Sequence, residues 1–191
     1  MGTGRNAALL AHQISLLSSR PIVVLDVETT GISVAKGERV IEIGAVRVVE
    51  GKLGERFSSL VATSRPISPG ALAIHKITPA MLAGQPTPEE VFRDFASFIG
   101  GDILVGHNVG FDMRFLAAEF ARLGQRLTNS SYCTLKLSRL CYPQLRSHKL
   151  EILGRYLFGA LPEVRHHRAL DDAELAARVM LRIAEEHGAL C

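Results

Sequence analysis

The sequence predicts an α/β domain in which a mixed β-sheet, an antiparallel three-strand meander plus parallel strands, is flanked by α-helices. Three observations predict it. An apolar, β-branched run at residues 22–27 suits a strand buried on both faces. Two more strand-like runs follow it, joined by the turn Glu50-Gly51-Lys52. After them, helices opened by Ser-Pro or Thr-Pro and closed by glycine alternate with a short apolar strand, and helices finish the chain. At 191 residues the chain suits one domain with a sizeable core, and a hydrophobic fraction of 47% excludes disorder as a description of the whole.

In chain order, residues 1–6 read as a flexible leader. Leu9, Leu10, Ile14 and Leu17 then recur at helical spacing on a short amphipathic segment that packs on the domain or on a partner. We therefore divide the chain into a leader and amphipathic segment, 1–20, and one domain, 21–188. His12, Gln13 and Ser15 interrupt residues 7–17, which make neither a signal peptide nor an anchor, and no apolar run approaches the ~20 residues that span a bilayer. Val40, Ile41, Ile43, Val46, Val48 and Val49 make the second strand, and Phe57, Leu60 and Val61 mark its return. Ser68-Pro69, Thr78-Pro79 and Thr87-Pro88 each set a capping hydroxyl before a first-turn proline. The third of these helices runs through Val91, Phe92, Phe95 and Phe98 to Gly100-Gly101. Residues 103–105 form a short buried strand, Gly106-His107-Asn108 turns off its end, and a helix over 110–123 closes at Gly124. Residues 134–142 and 149–158 read as helices broken by Pro143 and Gly159, and the last helix covers 169–186 with Gly188 as its stop.

The net charge of +3 and pI near 8.9 are too mild to name a partner. Distribution says more: Arg126, Lys136, Arg139, Arg146, Lys149, Arg155, Arg165 and Arg168 are opposed only by Glu151 and Glu163. That half either faces a polyanion or is a solvated basic surface. Three cysteines, Cys133, Cys141 and Cys191, are odd in number and lack paired metal spacing. On one helix Cys133 and Cys141 would lie ~12 Å apart, too far for a disulfide. They read as reduced thiols of a cytoplasmic protein.

The chemistry begins at Asp26 and Glu28, which interrupt the first strand. Side chains two apart share a strand face, so both carboxylates leave the sheet together where the strand ends. Such a pair is either two solvated acids or two acids bridged by a hard cation such as Mg²⁺ or Mn²⁺. Asp112 opens the helix after the 103–105 strand, on the core face continued by Phe115, Leu116 and Phe120. It either serves the helix dipole or joins ligand groups gathered at the strand ends. Asp172 shares a stripe with Ala176, Val179 and Ile183 and points inward, whereas Asp171 keeps company with Arg178 and Arg182. His167 lies five residues before Asp172, within reach of the same site. Taken alone, His166-His167 reads as a pair of surface histidines.

Together, Asp26-x-Glu28-Thr-Thr-Gly31, His107-Asn-Val-Gly-Phe-Asp112 and His167-Arg-Ala-Leu-Asp-Asp172 resemble the three motifs of the DEDDh (DnaQ-like) 3′–5′ exonucleases, in particular the proofreading epsilon subunit of bacterial DNA polymerase III and its stand-alone relatives. The resemblance covers about residues 21–187. It implies an RNase H-like fold in which Asp26, Glu28, Asp112 and Asp172 hold two divalent ions, Mg²⁺ or Mn²⁺, and His167 is the general base. It also implies contacts to the 3′-terminal nucleotide from Thr29, Thr30, Gly31, His75, Asn108 and Phe111. Cys133-Thr134 departs from the family, where many members have Asp-Thr.

The implied reaction is hydrolysis of phosphodiesters at single-stranded or frayed 3′ ends of DNA, in proofreading or repair, releasing nucleoside 5′-monophosphates. A DNA polymerase subunit is the candidate protein partner, and no membrane is expected. Two other readings stand beside it. One is a 3′–5′ exoribonuclease trimming RNA ends with the same residues. The other is a non-catalytic nucleic-acid-binding or polymerase accessory module, disfavoured because binding alone needs none of the five chemical positions.

Overall fold

The structure, a computed structural model, describes residues 21–159 and 168–188. Five strands, β1 (Ile22–Thr29), β2 (Val40–Val49), β3 (Lys52–Leu60), β4 (Ile103–Gly106) and β5 (Ser131–Cys133), form one sheet in the order β3-β2-β1-β4-β5. β1, β2 and β3 pair antiparallel, as predicted, while β4 and β5 add in parallel on the other side of β1. Glu50 and Gly51, with φ of 51° and 72°, make the left-handed two-residue turn that suits the twist of a β2–β3 hairpin.

Helices α1 (Pro69–His75), α2 (Pro79–Leu82) and α3 (Pro88–Ile99) begin at the three predicted Ser/Thr-Pro sites. The hydroxyls of Ser68, Thr78 and Thr87 accept the N–H groups of Ala71, Met81 and Glu90, and Glu90 returns the bond in a capping box at Thr87. α4 (Gly110–Arg122), α5 (Thr134–Cys141), α6 (Leu150–Phe158) and α7 (Ala169–Gly188) follow.

Because β1 alternates its side chains between two covered faces, the sheet carries two cores. Ile22, Val24, Val46, Val48 and Val105 pack with Leu137, Leu153, Val179, Met180 and Ile183 of α5, α6 and α7. Val23, Leu25, Ile43, Ala45 and Leu104 pack with Phe92, Phe95, Phe115, Leu116 and Phe120 of α3 and α4. The start of α7 lies directly on β2 at Gly44, where a methyl group would fall far inside contact distance of the backbone of Ala169 and Leu170. Gly44 is the register partner of Asp26, so this close approach delivers α7 beside the first carboxylate.

Three details differ from expectation. β5 was not anticipated, since three residues are too short to show a period. Cys133 consequently ends a strand and Cys141 ends α5, and both thiols are free. α7 continues through Gly188 rather than stopping before it. The amphipathic segment 7–17, His166, His167 and Cys191 lie outside the described residues.

Candidate active site

Along β1, only Ile22, Val23 and Val24 pair with β4, so β1 continues past the end of its parallel neighbour. Asp26 and Glu28 stand on that free stretch, half-buried. Asp172, in the first turn of α7, meets them from the helix layer, and one carboxylate oxygen from each of the three lies within 4.8 Å of the others. Asp112, buried in the first turn of α4, reaches the same strand from the opposite layer, where its Oδ1 accepts the Val27 N–H at 3.2 Å. Four acids predicted from three distant motifs thus converge on one strand end.

Burial pushes the Asp26 carboxyl well above its ordinary range, and the charges of Asp112, Asp172, Glu28 and Glu42 push further in the same direction. Burial likewise raises Glu28 to about 8, helped by Asp172, Glu42 and Asp112 and opposed by Arg168. Asp112 rises to about 7 through burial, against the pull of its own backbone bond and that from Val27. A shared set of hard oxygen donors that repel one another when ionised fits a divalent cation, whose charge would remove the penalty.

A dependence of stability on pH follows. Unfolded, Glu28 ionises near 4.5; folded and without metal, it keeps its proton to about 8. The unfolded state therefore binds fewer protons across that interval, and stability falls as pH rises through it, with no contribution from this group below 4.5. In chelator the unfolding midpoint should decline from pH 4.5 to about 8, and Glu28→Gln should flatten the decline. Identical slopes for the two proteins would refute the assignment.

Two buried carboxylates escaped the sequence reading. Glu42, facing Glu28 across β1 and β2, accepts Arg168 Nε at 2.9 Å and the Ala169 N–H at 3.1 Å, anchoring the first turn of α7 to the sheet. Glu119 accepts Arg39 Nε and Nη2 at 2.8 Å each and the Val40 N–H at 3.2 Å, fixing the start of β2. The available signal was a glutamate within the apolar run at 40–43, and another on the stripe of Asp112, Phe115 and Leu116.

A cavity of about 810 Å³ opens over the cluster, lined by Asp26 and Asp172 and, toward α5 and α6, by Arg139, Arg146 and Lys149. Of the six residues expected around a terminal nucleotide, Asn108 lines it, exposed and left-handed at φ 75°. The other five lie outside this lining. The Thr29 hydroxyl donates to the Gly31 carbonyl at 2.7 Å, and buried Thr30 donates to Glu38 while accepting the Arg39 N–H at 2.9 Å. A side chain at Gly31 would press on Glu38. His75 is buried at the end of α1, its Nδ1 accepting the Ile77 N–H at 2.9 Å, and Phe111 packs on Phe115 with ring centroids 4.8 Å apart.

His107 Nε2 donates to the His148 carbonyl at 2.7 Å, which leaves Nδ1 to accept the Thr134 hydroxyl at 2.9 Å. Burial holds its pKa below the ordinary value, so the neutral ring serves as a brace between the end of β4, α5 and the segment before α6. Cys133 occupies the N-cap of α5 without giving it a side-chain hydrogen bond.

Comparison with known proteins agrees with this geometry. The family model described as Exonuclease (RNase_T) matches residues 23–180. The DNA polymerase III subunit epsilon of Aquifex aeolicus (strain VF5) is 41% identical over 165 residues, covering 86% of this chain and 80% of that protein. A PolC-type DNA polymerase III from Clostridium perfringens (strain 13 / Type A) is 38% identical over 158 residues, 83% of this chain, and the chain spans only 11% of its length. Among solved structures, Exonuclease X in complex with 5′ overhanging duplex DNA superposes with a TM-score of 0.70 at 33% identity, covering 86% of this chain and 92% of that one. With most of its length inside the family match and four-fifths of the Aquifex subunit spanned, the chain belongs to the exonuclease family.

Proposed function

We propose that this enzyme removes nucleotides from single-stranded or frayed 3′ ends of DNA, in proofreading or repair, releasing nucleoside 5′-monophosphates. The observation that carries the reading is the convergence of Asp26, Glu28 and Asp172 within 4.8 Å at the end of β1, with Asp112 tied to the same strand. DNA as substrate is supported by the names of the relatives, a DNA polymerase III subunit and an exonuclease bound to duplex DNA. The same names make a polymerase assembly the candidate partner. We take the domain as 21–188, in keeping with the family match at 23–180. Among the described residues no helix is long and apolar enough to cross a membrane. The free thiols of Cys133 and Cys141 suit a reducing cytoplasm.

Asp26, Glu28, Asp112 and Asp172 would hold two divalent ions, Mg²⁺ or Mn²⁺. Once bound, the ions supply Lewis-acid chemistry, activating the attacking water and stabilising the leaving 3′-oxygen. His167 takes the water's proton near neutral pH, a task for which carboxylates engaged with cations are poorly suited. Asn108, at the cavity, together with Thr29 at the end of β1, Thr30 and Gly31 just beyond it, His75 at the end of α1 and Phe111 at the start of α4, shapes the pocket for the terminal nucleotide.

The test compares His167→Ala with His166→Ala and His107→Ala on short labelled single-stranded DNA and RNA, with and without Mn²⁺, across pH. His167→Ala should lose ~10²-fold or more in kcat and with it the acid limb of the profile, which starts from an imidazole pKa of about 6.5. The other two variants should lose much less. An intact acid limb in His167→Ala, or a larger loss in His166→Ala, would assign the base elsewhere. Preferential cleavage of the RNA would replace DNA as the substrate.

A further inference from the structure

The wall of the cavity facing α5 and α6 is cationic in an unusual way for this molecule. Elsewhere the arginines are largely committed: Arg39 to Glu119, Arg56 to Glu174, Arg65 to Glu38, and Arg168 to Glu42. Arg139, Arg146 and Lys149 have no carboxylate partner among the described residues, although all three are exposed on one rim. The acid on that rim, Glu151, is bound to Arg155 at 2.6 Å and so leaves the three cations unneutralised. Three unpaired cations beside four acids that repel anions make a surface with two signs of charge. The acidic end suits cations, and the basic end suits the phosphates of a strand whose terminus lies at the acids.

Resting on the reading of a 3′-end nuclease given above, we propose that Arg139, Arg146 and Lys149 form a phosphate track that carries the single strand 5′ of the scissile bond away from the carboxylates, over the rim between α5 and α6. The bases are not read there, because guanidinium and ammonium groups on a rim contact a backbone common to every sequence. Arg139 stands on α5, Arg146 on the connector and Lys149 at the N-cap of α6, and His107 braces this wall through the His148 carbonyl and the Thr134 hydroxyl. The track is thus fixed relative to β4 and to the site, and it grips several phosphates upstream of the one being cut.

The experiment uses the full chain and its Arg139→Ala/Arg146→Ala/Lys149→Ala triple variant, each measured on single-stranded DNA of about 20 nucleotides and on a dinucleotide, over a salt series with Mn²⁺. Binding of the same long strand is followed by fluorescence anisotropy in an Asp26→Asn background, where cleavage does not interfere. Each phosphate contact to a single strand contributes about 0.7 to the slope of log affinity on log salt, so the triple variant should bind with a slope shallower by about two. The ratio of kcat/KM for the long strand over the dinucleotide should fall about tenfold or more. Arg139→Lys/Arg146→Lys, which keeps the charges, should retain the slope.

An unchanged slope overturns the track. So does a dinucleotide loss as large as that of the long strand, which would assign these side chains to the reacting end. If the wild-type protein cleaves neither substrate, the nuclease reading fails on its own. The binding slope then still decides whether the rim carries a strand.

Discussion

Asp26→Asn should abolish cleavage, by ~10³-fold or more, while the unfolding midpoint measured in chelator holds or rises. The two halves of this expectation have one cause. Asp26 stands half-buried among Asp112, Asp172, Glu28 and Glu42, all of which oppose its ionisation. Replacing its carboxyl by an amide removes the charge that the fold resists and that a cation needs, at nearly constant shape. A residue kept for stability would behave oppositely, since deleting one partner of a satisfied buried pair costs about 3–5 kcal/mol. Thermal melts with and without Mg²⁺ should show metal stabilising the native protein and stabilising the variant less. Near-normal turnover by the variant at saturating Mg²⁺ would sink the metal-ligand assignment.

Gly44→Ala should be nearly as damaging to activity, although residue 44 supplies no functional group. The added methyl would meet the backbone of Ala169 and Leu170, which cannot rotate aside as a side chain tip can. The first turn of α7 must lift, carrying Asp172 away from Asp26 and Glu28 and stretching the bonds from Arg168 and Ala169 to Glu42. Overpacking of this kind costs typically 1–3 kcal/mol, and a displacement of about 1 Å at a reacting centre costs ~10²-fold in rate. We expect a lowered melting temperature together with a fall in kcat of that order. Activity within about twofold of wild type would show that α7 is not held where Gly44 lets it lie.

Much of this architecture was legible from local pattern. The β1–β3 meander followed from apolar runs and a left-handed turn, and the first three helices followed from Ser-Pro and Thr-Pro pairs whose hydroxyls do cap them. The inward stripes of Asp112 and Asp172 followed from helical period, and the burial of Phe115, Leu116, Val179 and Ile183 matches them. What local pattern does not carry is pairing at a distance. Glu42 meets Arg168 across 126 residues and Glu119 meets Arg39 across 80, and although each glutamate stands out in an apolar pattern, nothing near it points to its partner. β5 stayed hidden because its three residues gain their conformation from the edge of β4 rather than from their own alternation. The closeness of α7 to β2 was equally invisible, because a single glycine in a strand is as consistent with a bulge as with a helix lying on it.

The two-layer origin of the carboxylates also makes the site depend on docking of separate elements. Asp26 and Glu28 come with β1, Asp112 with α4 and Asp172 with α7, which must dock on β1 and β2 to bring its carboxylate into place. A chain lacking α7 keeps the five sheet strands but only Asp26, Glu28 and Asp112 of the four acids. The full set of four acids therefore exists only once α7 has docked on the sheet.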